Sequence, residues 1–160
     1  MPKVFRFDGT DRGILRALIR APRATTSALA ELTGLSRNTV QARMARWDEA
    51  EALRGFDRRI DPESLGYPIS AYVFTEVTQR QLAQVSTALA RIPEVIEVHG
   101  LTGDTDLLIQ VVARDADDLY RVAGVILGIE GVQRSSTALR MRTLIDFRVD
   151  QLLSPPRRPD

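Results

Sequence analysis

Hydrophobic residues recur at helical spacing through the first third of the chain, and turn-forming residues separate the runs. This pattern predicts three helices, at about residues 11–20, 26–32 and 37–49. Pro22 stops the first helix, because proline lacks the N–H that a helix interior needs. Gly34 separates the second and third helices, because glycine readily adopts the positive φ of a tight turn. The order of helix, glycine turn and helix is typical of a helix-turn-helix.

Short polar side chains stand where these helices are expected to begin. Asp8 or Thr10 can cap the first helix, and Thr25 or Thr26 can cap the second. Ser36 is well placed to cap the third. Such a residue accepts a hydrogen bond from a backbone N–H that has no partner within the helix. The caps therefore support the predicted boundaries.

The third helix has two faces of different character. Val40, Met44 and Trp47 follow one another at i, i+4 and i+7, so they predict its buried stripe. The outward face then carries Arg37, Asn38, Gln41 and Arg46, with Arg43 on its flank. Arginine can bond guanine bidentately, and asparagine or glutamine can bond adenine. This face is either a DNA-reading surface or an ordinary solvated helix face.

Two short segments follow the third helix. LRGFDRRID (53–61) predicts a two-stranded hairpin, which would be the wing of a winged helix-turn-helix. Residues 61–68 contain two prolines and a glycine and predict a linker. A second module is expected beyond it.

The second half alternates strand-like and helix-like patterns. Predicted strands lie at 69–77, 95–102, 106–112 and 132–148, and predicted helices lie at 80–92 and 116–127. The order β-α-β-β-α-β is that of a ferredoxin-like unit. The prediction is an α+β protein with a winged helix-turn-helix at 1–60, a linker at 61–68, a ferredoxin-like domain at 69–150 and a flexible tail at 151–160.

The residue composition removes much catalytic and metal-binding chemistry. Cysteine is absent, which excludes disulfides, thiolate nucleophiles and thiolate metal sites. His99 is the only histidine, which excludes a metal centre with several histidine ligands. We therefore expect neither an enzyme nor a metal site nor a bound cofactor.

Charge is distributed unevenly, although the net charge is only +1. Residues 1–60 contain 12 Lys/Arg and 7 Asp/Glu, whereas residues 61–150 contain 8 and 13. The basic part suits a polyanion such as double-stranded DNA, and the acidic part would be repelled by one. No apolar run approaches the roughly 18 residues of a transmembrane helix, and the N-terminus lacks the apolar stretch of a signal peptide. We therefore expect a cytoplasmic protein with no membrane partner.

The segment LTGDTD (101–106) places two aspartates between predicted strands. Asp104 and Asp106 could act as an acid–base pair, or could bind a metal ion with Asp61 or Glu130. Gly-Asp is also typical of a plain hairpin turn, since glycine takes a positive φ and aspartate bonds its own backbone. Taken alone, the residues favour the turn.

The chain as a whole resembles the Lrp/AsnC family, also called feast/famine regulators. The resemblance rests on FDGTDRGILRALIRAPRATTSALAELTGLSRNTVQARMARW at the start and on IDPESLG in the linker. It continues through IPEVIEVHGLTGDTDLLIQVVARDADDLY and GVQRSSTAL. It implies a DNA-binding regulator whose ferredoxin-like domain forms a homodimer through its sheet. It also implies larger assemblies, tetramers or octamers, and a response to a small molecule such as an amino acid.

The resemblance further implies an effector pocket between dimers, at the glycine–aspartate loop. Backbone N–H groups there can hold a carboxylate, and an acidic side chain can bind an ammonium group. The matching residues are Leu101, Gly103, Asp104, Thr105, Asp106, Ser136, Thr137, Ala138 and Leu139. Two positions depart from the family pattern. Glu51 stands where a glycine usually ends the recognition helix, and Thr105 stands where an aromatic residue is common.

Together these observations predict a sequence-specific DNA-binding transcriptional regulator. We expect base contacts from Arg37, Asn38 and Gln41. Phosphate contacts are expected from Thr26, Arg43 and Arg46, and the hydroxyls of Thr25 and Ser27 lie at the same helix start as Thr26 and suit phosphate. Ser36, the cap of the third helix, completes the predicted DNA-binding residues. The alternative, to which the departure at Glu51 gives rise, is a metabolite-binding or assembly module whose helix-turn-helix no longer reads DNA.

Overall fold

The computed structural model describes residues 5–154, and these form two compact units. The first contains the residues up to Phe56 together with those from Ile145 onward, and the second is Asp57–Leu144. The predicted domain limits instead placed residues 57–60 in the first domain and residues 145–150 in the second. In the described part of the chain, no helix is long and apolar enough to cross a membrane.

Three helices build the first unit, and all three predictions are confirmed. They are α1 (Gly9–Arg20), α2 (Thr26–Thr33) and α3 (Arg37–Glu49). Gly34 lies between α2 and α3 with φ 69°, as the glycine turn predicted. The core of the unit is Ile14, Leu29, Val40 and Trp47, with Met44 packed against it. The predicted inward stripe of α3 is therefore correct.

Helix α1 begins with a reciprocal cap between two aspartates. The Asp11 N–H donates to Asp8 Oδ1 at 2.9 Å, and the Asp8 N–H donates to Asp11 Oδ2 at 2.9 Å. This capping box satisfies two N–H groups that the helix itself leaves without acceptors. Asp8, rather than Thr10, is the N-cap of α1.

The predicted hairpin at 53–61 is wrong. No strand forms there, and Phe56–Arg59 is a 3-10 helix instead. The apolar residues Leu53, Phe56 and Ile60 are three and four positions apart, which is helical spacing rather than the alternation of a strand. The helix-turn-helix therefore carries no wing in this segment. The predicted linker contains a second 3-10 helix, Pro62–Leu65, which Gly66 ends with φ 88°.

The second unit has the predicted β-α-β-β-α-β order. Its elements are β1 (Ile69–Val77), α4 (Leu82–Leu89), β2 (Val95–Gly100), β3 (Leu107–Ala113), α5 (Ala116–Leu127) and β4 (Val132–Leu139). The strands lie in the order β2-β3-β1-β4, and every neighbouring pair is antiparallel. This topology confirms the ferredoxin-like prediction and the α+β class.

Both helices of the second unit pack on one face of the sheet. Their buried residues Val85, Leu89, Val122 and Ile126 meet Ala71, Val73, Val77, Leu107, Ile109 and Val111 of the strands. Asp115 caps α5 by accepting from the Asp118 N–H at 2.7 Å. Side chains alternate between the faces of a sheet, so Phe74 and its partner Leu108 lie on the face that these helices do not cover.

The final strand is shorter than the predicted 132–148. It ends at Leu139, and the last bond to β1 runs from the Arg140 N–H to the Ser70 carbonyl at 2.9 Å. A strand needs a partner for its backbone groups, and within one chain β1 provides none beyond this point. Residues 140–149 therefore have no regular structure, although their apolar residues alternate as in a strand.

The predicted tail, 151–160, is described only in part. Asp150–Leu153 forms a 3-10 helix, and Arg16 Nη2 of α1 donates to the Leu153 carbonyl at 2.9 Å. Residues 155–160 lie outside the described part of the chain.

Candidate nucleic-acid interface and effector loop

The outward face of α3 carries the three residues predicted to contact bases. Arg37, Asn38 and Gln41 are all exposed. Ala42 and Ala45, which were not among the predicted contacts, are exposed beside them. Small side chains at these positions let the helix approach a groove closely, and an alanine methyl can contact the methyl of thymine. Helical spacing from the buried stripe would have identified both.

Apart from Arg43, the other residues predicted to bind DNA occupy three different settings. Arg46 is exposed, and its guanidinium carbon lies 5.7 Å from the centre of the Phe5 ring. Thr25 and Ser36 use their hydroxyls as caps, accepting from the Ala28 N–H at 3.2 Å and the Thr39 N–H at 3.1 Å. Ser27 is exposed and Thr26 half-buried at the start of α2.

Arg43 points towards α1 rather than outward. Its Nη1 forms ion pairs with Asp8 and with Asp11, the second over 3.2 Å. The Arg43 guanidinium, which was predicted to contact phosphate, is therefore already paired with these two carboxylates. The contacts also raise the pKa of Arg43, with the hydrogen bond to Asp8 as the largest cause.

Glu51 takes the backbone conformation usually left to glycine. It follows the end of α3 with φ 48°, in the left-handed region. The Ala52 N–H donates to the Trp47 carbonyl at 2.9 Å, as in a glycine-terminated helix. The departure noted in the sequence therefore leaves the helix ending in place.

The loop 101–106 joins β2 to β3. It is closed by a bond from the Leu101 N–H to the Asp106 carbonyl at 2.8 Å, and Gly103 adopts φ 112°. The predicted turn is therefore present at Gly103. Leu101 and Asp104 are exposed, and Thr105 is half-buried.

The two aspartates of this loop have different environments. Asp106 Oδ2 accepts from the Val77 N–H at 2.8 Å, and Oδ1 accepts from Gln79 Nε2 at 2.5 Å. The Asp106 N–H donates to the Thr75 carbonyl at 3.1 Å. Asp106 thus fastens the loop to the end of β1, where the strand register shifts. Only Asp104 presents its carboxylate outward.

The other predicted effector residues lie along β4. Ser136, Thr137, Ala138 and Leu139 pair with Phe74, Val73, Tyr72 and Ala71. Leu107, at the base of the loop, lies in one row with Thr75 and Ser135. Leu139 is four residues beyond that row, or about 14 Å along the strand. One chain therefore does not gather the loop and the whole of 136–139 into one pocket.

Metal binding was an alternative for these carboxylates. Among residues 5–154, no three His, Cys, Asp or Glu side chains lie close enough together to hold a metal ion. Glu130 instead accepts bonds from Gln81 and Gln84, each at 3.2 Å.

Two family models match the chain. An AsnC-type helix-turn-helix domain matches residues 7–46, and a Lrp/AsnC ligand binding domain matches residues 70–150. The HTH-type transcriptional regulator AldR of Mycolicibacterium smegmatis is 35% identical over 117 residues, which is 71% of this chain and 68% of AldR. The HTH-type transcriptional regulator FL11 of Pyrococcus horikoshii is 29% identical over 136 residues, covering 85% of this chain and 90% of FL11.

Solved structures agree with this assignment. E. coli AsnC superposes with a TM-score of 0.82 at 26% identity, covering 91% of this chain and 99% of AsnC. A feast or famine regulatory protein from M. tuberculosis, complexed with L-methionine, gives a TM-score of 0.79 at 28% identity, covering 89% and 97%. On these matches and on its architecture, the chain belongs to the Lrp/AsnC family of helix-turn-helix transcriptional regulators.

Proposed function

We propose that the regulator reads its DNA sites with the outer face of α3. Arg37, Asn38 and Gln41 contact base edges in the major groove. The observation that carries this assignment is the division of one helix into two faces: Val40 and Trp47 are buried, while these three polar residues are exposed. The exposed Ala42 and Ala45 beside them leave room for close approach to the bases.

Phosphate contacts come from the residues that flank this face. Arg46 supplies an exposed cation, and the start of α2 supplies backbone N–H groups with Thr26 and Ser27. Thr25 and Ser36 contribute through the helix starts that they cap. These contacts fix the protein on the duplex and set the overall affinity.

We further propose a homodimer, with tetramers or octamers built from it. Two features support it: the sheet face that α4 and α5 leave uncovered, and the exposed segment 140–149. In that segment Met141, Ile145 and Phe147 are 84%, 70% and 79% exposed. Apolar exposure on this scale marks an interaction surface. A two-fold axis would place two copies of α3 in successive major grooves, about 34 Å apart.

A selection experiment tests the DNA proposal. The purified chain is incubated with a library of random duplexes, and bound duplexes are recovered and sequenced over several rounds. We expect a paired motif with half-sites about one helical turn apart. Recovery of duplexes with no shared motif would overturn sequence-specific reading.

We also propose that the loop 101–106 binds an amino acid between dimers. Backbone N–H groups of Gly103 to Thr105 would hold the carboxylate, and Asp104 would pair with the ammonium group. Asp104 is favoured over Asp106 because the Asp106 carboxylate is already engaged by Val77 and Gln79. A neighbouring chain would complete the pocket with Ser136, Thr137, Ala138 and Leu139. Within one chain, most of this part of β4 lies too far along the strand to reach the loop.

A thermal-shift screen of the amino acids tests the effector proposal. L-methionine is included first, because a similar regulator was solved in complex with it. A ligand should raise the Tm of the chain by mass action. The Asp104→Asn variant should lose this rise, whereas Asp117→Asn, on the exposed start of α5, should keep it. An equal rise in the chain and in Asp104→Asn would remove Asp104 from the pocket.

A further inference from the structure

The side chain of Arg43 lies between two helices of the first unit. It is 24% exposed, and the side chain of its partner Asp11 is buried. Asp11 Oδ1 accepts both from Arg43 Nη1 and from Trp47 Nε1, each at 3.2 Å. Arg43 and Trp47 are four residues apart, so they lie one turn apart on the same side of α3.

The two aspartates that pair with Arg43 are themselves held in place by backbone hydrogen bonds. Asp8 and Asp11 bond each other's backbone N–H in the capping box, so neither carboxylate is free to rotate away. The pKa of Asp8 is lowered, first by the Asp11 backbone N–H and then by Arg43. Asp8 therefore stays ionised at neutral pH, and the ion pair persists there.

Two contacts from one side of α3 to one carboxylate limit rotation of the helix about its own axis. Rotation matters for readout, because it would move Arg37, Asn38 and Gln41, which lie on the exposed surface of the same helix, relative to the base edges. Hydrogen bonds to base edges weaken steeply when their angle changes. A small rotation would therefore reduce discrimination among bases more than it reduces attraction to phosphates.

We infer that Arg43 is a positioning residue, which sets the orientation of α3 through Asp8 and Asp11 and thereby determines sequence discrimination without touching DNA. This inference rests on the proposed function, in which α3 reads the duplex. It replaces the phosphate contact predicted for Arg43, because such a contact would require both ion pairs to open.

Binding to a selected duplex and to a scrambled duplex, measured over a salt series, distinguishes this role from its alternatives. Arg43→Gln removes the charge and keeps a similar length. Asp8→Asn removes one ion-pair partner but keeps a good N-cap. Both variants and their combination are compared with the unsubstituted chain by fluorescence anisotropy, after circular dichroism confirms folding.

For a positioning residue, Arg43→Gln should lower the selected-to-scrambled affinity ratio about tenfold, the size of one lost base contact. The slope of log K against log salt should stay unchanged. Asp8→Asn should lower the ratio in the same direction, and the double variant should be no worse than Arg43→Gln, since the two residues act through each other. If Arg43→Gln fails to fold, Asp8→Asn and Arg43→Lys provide the same comparison.

Three results would overturn the inference. A salt slope smaller by about one, with equal loss on both duplexes, would make Arg43 a phosphate contact. In that case Asp8→Asn would release Arg43 and tighten binding to both. An unchanged ratio in folded variants would leave Arg43 a purely structural residue. Failure of the unsubstituted chain to bind any duplex would overturn the proposed function as well. The first two results differ from this one because the unsubstituted chain still binds DNA in them.

Discussion

The indole N–H of Trp47 donates to Asp11 Oδ1 over 3.2 Å, and both residues are only 1% exposed. This bond joins the recognition helix to the first helix inside the core of the first unit. A buried carboxylate is costly unless donors surround it, and Asp11 has them in Trp47, Arg43 and the Asp8 N–H.

Trp47→Phe should therefore destabilise the first unit. It keeps an aromatic ring in the core but removes a donor to a buried charge. The free energy of unfolding should fall by about 2 kcal/mol, the usual size for a hydrogen bond to a charged group. Chemical denaturation measures it, with Tyr120→Phe on the exposed face of α5 as the control. A change as small as that of the control would show that the Trp47–Asp11 bond adds nothing.

Glu51→Gly should stabilise the chain. A side chain in the left-handed region costs energy that glycine avoids, and an acidic residue is unfavourable at a helix C-terminus. The left-handed conformation costs a residue with a side chain about 1–2 kcal/mol, and the greater backbone entropy that glycine loses on folding offsets about 0.5–1 kcal/mol of this. We therefore expect a net gain of about 0.5–1 kcal/mol in the free energy of unfolding. Ala45→Gly, in the middle of α3, should instead lose about 1 kcal/mol. If both variants lose stability, the φ of Glu51 is not strained.

Asp118 should contribute stability that depends on pH. It is 5% exposed and accepts hydrogen bonds from two arginines. Arg114 Nε donates to its Oδ2 at 3.0 Å, and Arg121 Nη2 donates to its Oδ1 at 2.7 Å. These bonds, that of Arg114 first, hold the pKa of Asp118 well below its usual range. Because the folded pKa is depressed, the contribution is complete above the unfolded pKa of about 4 and is lost as pH falls below it.

Asp118→Asn should accordingly lower the Tm at pH 7, and its deficit should shrink as the pH falls below about 4. Asp117→Asn, exposed in the same turn of α5, is the matched control and should change little. A deficit for Asp118→Asn that is constant from pH 7 to pH 3 would contradict the ionic account.

Phe147→Asp should weaken the proposed homodimer. Phe147 is 79% exposed in a single chain, and a charge there would be buried in an apolar interface. Light scattering after size exclusion should show a shift towards monomer. Tyr120→Asp changes an aromatic residue that is 85% exposed on α5, outside the proposed interface, and should leave the mass unchanged. A dimer that both variants retain equally would place the interface elsewhere.

Local signals made much of the fold predictable. Ser36 and Thr25 cap the helices expected of them, because a cap depends only on neighbours along the chain. The buried stripe of α3 followed from helical spacing in the same way. The family match then confirmed the two-module architecture.

Features that depend on distant partners were not predictable. Residues 140–148 alternate like a strand, yet no strand within residues 5–154 is left to pair with them. Asp104 and Asp106 have similar neighbours in the sequence, so the sequence does not tell them apart. The difference comes from β1, where the strand register shifts at Val77 and the Val77 N–H donates to Asp106. The sequence places Arg43 on the flank of the outward face of α3, and only the folded structure shows that it pairs with Asp8 and Asp11 at the start of α1.

Sequence-specific DNA reading by α3 is tested most directly by one titration. The chain and its Arg37→Ala variant are titrated onto a selected duplex and a scrambled duplex, between about 50 and 200 mM salt. We predict that log K falls linearly with log salt for both proteins. The variant should bind the selected duplex about 5- to 150-fold more weakly while its affinity for the scrambled duplex stays nearly unchanged. Equal affinity of the unsubstituted chain for the two duplexes, or an equal loss on both in Arg37→Ala, would contradict this account.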